Sequence, residues 1–161
     1  MATKLDDAIL AIIGILQAGT TGELLGADAI VDGPAATGDD PTTAVFIGYD
    51  GDSDGDGKVT ENWTAGFVGA PIGRQARDES FEVTCAVVSW GGDIDVPSRR
   101  AAAVAAFSAV EDDLRAAVDL GLAPGVPTVA QVVQMDLYQE QDAQRGMQAR
   151  ILFRVGVETR I

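Results

Sequence analysis

Three sets of side chains in this sequence are of types that carry chemistry: an acidic loop, a lone thiol and a cluster of arginines. The densest is Asp50–Glu61, DGDSDGDGKVTE. Oxygen-rich side chains at alternate positions around a glycine are what a calcium loop uses, and Asp50, Asp52, Asp54, Gly55 and Glu61 fall at the offsets of a helix–loop–helix site. In that register, however, Gly57 takes the position that is normally apolar. Shifting by two residues improves the middle, with Asp52, Asp54, Asp56, Gly57 and Val59 aligned, but puts Trp63 where a bidentate Glu belongs. Neither register has flanking helices. Asp and Gly also supply turn geometry and solubility together, so a solvated hairpin tip is the favoured reading. Asp52, Asp54 and Asp56 remain the weak metal candidates.

Cys85 is the single cysteine, and the chain has no histidine. A disulfide framework, a thiolate metal cluster, an imidazole site and a serine–histidine triad are therefore excluded. Set between Thr84 and Ala86 in a β-rich run, the thiol reads as a buried structural group. Carboxylates for general acid–base work are plentiful, but they fall in turns and on a helix exterior, with no convergent pair in an apolar setting. No catalytic residue and no cofactor is expected.

The third set is basic. Arg150, Arg154 and Arg160 follow one another along the last strand of a chain with 25 acids, 11 bases and a net charge of −14. An acidic surface repels nucleic acid and anionic membranes. A basic strand face on such a chain reads as a self-association surface, with Asp50–Asp56 or Asp93–Asp95 of a neighbour as its partner. These arginines are the subunit-interface candidates.

The elements that must position these residues follow from periodicity. Ser98–Leu120 is the organising helix, about 35 Å long, with Val104, Phe107, Val110, Leu114 and Val118 on one side. Ala101, Ala102, Ala105, Ala109 and Ala116 make the other side short-chained. The pattern predicts a sheet on the bulky face and a second helix or a neighbouring subunit on the alanine face. Pro97 lies in the first turn, Asp95 or Ser98 is available as cap, and Gly121 supplies a left-handed stop. Glu111 and Arg115 form an i,i+4 pair.

Lys4–Ala18 forms an earlier helix, started by Thr3 with Asp6 and striped by Leu5, Ile9, Ile12 and Leu16. Gly22–Gly26 lacks the ending and the preceding strand of a phosphate loop. Asp28–Asp32 and Thr43–Tyr49 read as strands. Residues 62–78 read as an irregular Gly-rich arm after the acidic loop at 50–62. Glu79–Trp90 is a strong strand, with Phe81, Val83, Cys85 and Val87 on one face and Val88 and Trp90 on the other. Thr128–Gln139 and Met147–Ile161 close the chain as strands around a turn at Glu140–Gly146. In the last strand Ile151, Phe153, Val155 and Val157 point inward, and Arg150, Arg154, Glu158 and Arg160 outward. The order helix, three strands, helix, two strands predicts one α+β domain over 1–161, a largely antiparallel sheet of about five strands packed with two helices. No apolar run approaches the ~20 residues of a membrane span. The start, with acids ahead of its apolar stretch, does not read as a signal peptide.

The strings AVFIGYDGD and ARDESFEVTCAVVSWGGD, followed by a helix and two closing strands, resemble tail terminator proteins of long-tailed phages, most closely those infecting actinobacteria. The resemblance implies an α+β subunit of a hexameric ring in the neck of the virion, assembled in the host cytoplasm. It implies as partners further copies of the chain, the tail tube protein and the head–tail connector protein. DNA would pass the acidic lumen without specific binding, and no membrane would be involved. The calcium-dependent binding module built on Asp50–Glu61 is the alternative function.

Overall fold

The computed structural model describes residues 3–34, 42–68, 76–91, 95–122, 128–142 and 146–161. Helix α1 (Leu5–Ala18) and the short α2 (Thr20–Leu25) come first, followed by a 3-10 turn over Ala27–Ala29. Strands β1 (Ile30–Asp32), β2 (Thr43–Ile47), β3 (Thr60–Val68) and β4 (Ala76–Gly91) precede α3 (Val96–Ala116). Strands β5 (Thr128–Asp142) and β6 (Gly146–Arg160) complete the chain. The fold is α+β, with six strands in one mostly antiparallel sheet.

The sheet is organised by β4, which is long enough to hold two partners on one edge. Strand β2 pairs with its C-terminal half and β3 with its N-terminal half, both antiparallel. On the other edge β6 runs antiparallel along nearly the whole of β4, and β5 pairs outside β6. The parallel strand β1 extends the sheet beyond β2. Strand β3 corrects the expectation of an irregular arm: Thr60–Val68 pairs with β4 through one bulge between Glu61 and Thr64, while 69–75 lie outside the described residues. Its sequence, TENWTAGFV, sets the β-favouring Thr60, Trp63, Thr64, Phe67 and Val68 among Asn62, Ala65 and Gly66. Pairing to a strong neighbour carries the strand across those interruptions.

The helices cover one face of the sheet. Phe81, Val83, Cys85 and Val87 from β4 and Phe153, Val155 and Val157 from β6 meet Ile9, Ile12 and Leu16 of α1 and Phe107, Val110 and Leu114 of α3. Phe107 packs edge-on against Phe153 with ring centroids 5.3 Å apart. Burial pushes the Cys85 thiol up to about 12, which leaves it protonated and inert. The opposite face carries a smaller cluster of Ala44, Phe46, Ala86, Val88 and Trp90, with Val31 and Tyr49 against it.

Helix α3 is rotated from its expected setting. Its buried stripe is Ala103, Ala106, Phe107, Val110, Asp113 and Leu114, whereas Val104 and Val118 are about half exposed. Ala103 and Ala106 allow the helix axis to approach the sheet closely, and that contact takes precedence over the bulkier Val104. Within the chain, Ala101, Ala105 and Ala116 are exposed, so α1 and α2 do not cover the whole alanine face. The helix stops at Ala116, before the expected Leu120. Leu120 then takes a left-handed φ of 55° ahead of Gly121 at 60°, and that turn puts the Leu120 side chain into the core.

Candidate functional site

The charged candidates converge on the sheet face away from the helices. Alternation along β6 places Ile151, Phe153, Val155 and Val157 under the helices, all buried, and turns the arginines to the other face. Their surroundings differ from the expected exposed basic row, because each already has an acidic partner or carbonyl within the chain.

Arg150 is buried, which corrects its reading as an outward surface residue. Its Nη1 donates to the Asp50 carbonyl at 2.8 Å, its Nη2 donates to Glu140 Oε1 at 2.9 Å, and its guanidinium lies 4.6 Å from the Tyr138 ring centre. The Gln148 side chain donates to the other Glu140 oxygen at 3.0 Å. The cause is the start of the acidic loop, which folds over the smaller apolar cluster. Gly51 sits there at φ 75°, and a Cβ on it would lie 2.8 Å from Val88 and 3.0 Å from the Arg150 side chain. The basic strand and the acidic loop do meet, as charge opposition suggested, but within one subunit.

Arg154 is partly exposed and spans Glu82 at 3.4 Å and Glu61 at 4.0 Å. Arg160, at the open end of the sheet, forms a bidentate pair with Asp78 at 2.6 and 3.1 Å. That pair borders a surface cavity of about 510 Å³ whose walls include Thr64, Gly66, Ser80, Val129 and Glu158.

Through the acidic loop the aspartates are engaged locally. Asp50 accepts from the Asp52 N–H, Asp52 from the Asp54 N–H, and Asp56 from the Lys58 N–H, at 2.9 to 3.0 Å. Such side-chain turns hold each carboxylate beside its own backbone. Glu61 belongs to β3 and pairs with the cations Lys58 and Arg154. Among the described residues no group of three or more His, Cys, Asp or Glu side chains is arranged to hold a metal ion. Asp93, one of the expected acidic partners, lies outside the described residues, and Asp95 caps α3 by accepting from the Ser98 N–H at 3.1 Å.

Two buried acids escaped the sequence reading. Glu79 accepts from the Lys4 N–H at 3.0 Å, from the Trp63 indole N–H at 2.9 Å and from the Thr3 hydroxyl, with Arg77 at 3.7 Å. It thereby fastens the start of α1 and strand β3 to β4. Asp113 accepts from the backbone and hydroxyl of both Thr20 and Thr21 at 2.7 to 2.9 Å, capping α2 from α3. Burial raises both carboxyls, but the hydrogen bonds outweigh it and hold both below the ordinary carboxylate range. Thr20-Thr21 at a helix start was the one visible signal. Its partner is 92 and 93 residues away, beyond what local spacing reveals.

The class defined by this geometry is an α+β sheet-and-helix domain in which Glu79, Asp113 and Arg150 hold its own elements together. A similar fold occurs in a chain of the virion of a native gene transfer agent particle. The TM-score is 0.59 at 17% identity, covering 95% of this chain and 94% of that one. No protein-family profile and no curated protein sequence matches.

Proposed function

We propose that the chain is a structural protein of a phage-like virion, and that it works as a tail terminator. In this reading six copies form a ring on the end of the tail tube, stop its polymerisation and present a docking face to the head connector. The observation that carries the reading is a fold shared, over nearly the whole of both chains, with a component of a gene transfer agent virion. The strings AVFIGYDGD and ARDESFEVTCAVVSWGGD favour the narrower assignment through their resemblance to tail terminator proteins; residues 76–91 of the second form β4. The buried acids and Arg150 serve the fold itself: Glu79 and Asp113 hold the starts of α1 and α2, and Arg150 braces the outer sheet face.

The acidic balance of −14 suits a ring whose lumen lets DNA slide past without adhering. No described helix is long and apolar enough to cross a membrane. Arg154 and Arg160 stay as candidates for contacts between neighbouring subunits, because both keep solvent access on the outer sheet face. Arg150 acts from inside, holding the Asp50 end of the acidic loop.

The test is polymerisation of the tail-tube protein of the same virus, followed by electron microscopy with and without this chain. Added at one ring per tube, the chain should arrest elongation and narrow the length distribution. Tubes that keep growing at the same rate would remove the terminator assignment.

A further inference from the structure

Strand β5 carries more exposed large apolar side chains than any other element among the described residues. Val129, Val133, Met135, Leu137 and Tyr138 are each 40% exposed or more, nearly half of the large apolar side chains exposed anywhere among the described residues. It is also an edge strand: among the described residues its ladder runs along β6 alone, and on its other side the Ala130 N–H donates to the Val118 carbonyl at 2.7 Å near the start of the strand. A long apolar edge of this kind is a template for another strand. Across the sheet β3 is likewise open, pairing with β4 alone, and Trp63 on it is half exposed.

The two edges match in three respects. First, β3, β4, β6 and β5 alternate in direction, each antiparallel to the next. A second copy placed beside the first by rotation keeps its strand directions, so its β3 meets β5 of the first copy antiparallel and the alternation continues. Second, each edge sets large apolar side chains on the helix side, while Val129 and Tyr138 of β5 fall on the other face, opposite Glu158 and Arg150. Met135 and Leu137 are opposite Phe153 and Ile151 and so lie on the helix side. Trp63, whose indole reaches Glu79, lies on that side of β3. Third, each edge carries one bulge, between Glu61 and Thr64 on β3 and between Val132 and Gln134 on β5. Bulges twist an edge and prevent indiscriminate stacking.

We propose that the β5 edge of one copy pairs antiparallel with the β3 edge of the next, so that the sheets of successive copies run on into one another around a ring. The contact is heterologous, with two different edges per copy, and it closes only as a ring. Within one copy Thr64 lies level with Val129, across Ser80 and Glu158. Bringing Trp63 opposite Met135 puts Thr64 opposite Gln134 and slides the neighbour by about five residues over four strands, a stagger of the kind tilted strands carry in closed sheets. This inference rests on the ring reading and specifies its interface.

Oxidative cross-linking separates the two. The full-length protein carries Thr64→Cys together with one of Gln131→Cys, Gln134→Cys, Asp136→Cys or Tyr138→Cys, and each single variant serves as a control; Cys85 is fully buried and does not compete. Concentrated protein, alone and on tail tubes, is oxidised and run under non-reducing conditions. The expected result is a ladder of multimers that needs both cysteines and peaks at Gln134 or Asp136. Met135→Lys with Leu137→Lys, checked for an unchanged fold by circular dichroism, should abolish the rings. Rings visible by microscopy with no cross-link at any position would overturn the β5–β3 contact and leave the ring reading standing. Dimers from the single β5 cysteines alone would replace it with a two-fold β5–β5 contact. A protein that forms no multimer in solution or on tubes would end both.

Discussion

Asp113 gathers four donors from two threonines with a single carboxylate, and Glu79 ties together a helix start, an indole and a strand. Both carboxyls sit below their ordinary range, so their contribution to stability is fully present above the unfolded carboxylate pKa of about 4 and is lost as pH falls through the lower folded values. Melting temperature should therefore hold between neutrality and about pH 5 and fall steeply below about pH 4. Asp113→Asn should flatten part of that acid slope while lowering stability at pH 7. Asp113→Ala leaves the donors of Thr20 and Thr21 without their acceptor and should cost about 2–3 kcal/mol by denaturant unfolding. A loss below about 0.5 kcal/mol would mean that water satisfies α2 equally well. Neither acid was legible in the sequence. Asp113 reads as one acid of an ordinary solvated Glu-Asp-Asp run, and Glu79 as the polar start of a strand, because their partners are set by tertiary approach.

At the level of elements, periodicity carried most of the information. The stripe Leu5, Ile9, Ile12 and Leu16 places α1, and the alternation from Ile151 to Val157 places β6 and its buried face. Strand β3 was hidden because its pairing to β4 outweighs its Gly- and Ala-containing sequence, and α3 turned because small residues pack closer than Val104 can. Phe107→Ala should cost about 3–5 kcal/mol, since Phe107 is buried against Phe153. Gly51→Val tests the loop that lies over Ala86 and Val88. It combines a positive φ of 75° with a Cβ clash at 2.8 Å, and should lower the melting temperature by several degrees. The same loop should be indifferent to calcium: 1 mM CaCl2 is expected to leave the melting temperature unchanged, because its aspartates are turned onto neighbouring backbone N–H groups. A rise of more than a few degrees that disappears in Asp54→Ala would reinstate the loop as a calcium site through linkage.

For the whole molecule, composition and element order led to the fold class, and short strings on β2 and β4 led to the resemblance. The arrangement of charge came only with the fold. Arg150 looks like a surface residue by strand alternation alone, and it is buried because the Asp50–Gly51 turn returns across the outer face of the sheet. Arg154 keeps solvent access, so Arg154→Glu should still fold, with a lowered melting temperature because it faces Glu61 and Glu82, and should weaken subunit association, the more so at low salt, where charges are least screened. Unchanged association in a folded Arg154→Glu protein would take that side chain out of the interface. The central claim is that this chain closes into a ring on the end of a tail tube. Electron microscopy of purified protein mixed with tail tubes, with rotational averaging of the tube ends, tests it directly. The account predicts added density at one end only, with six-fold symmetry and a central channel open to DNA. Bare tube ends, or density scattered along the tube wall, would contradict it.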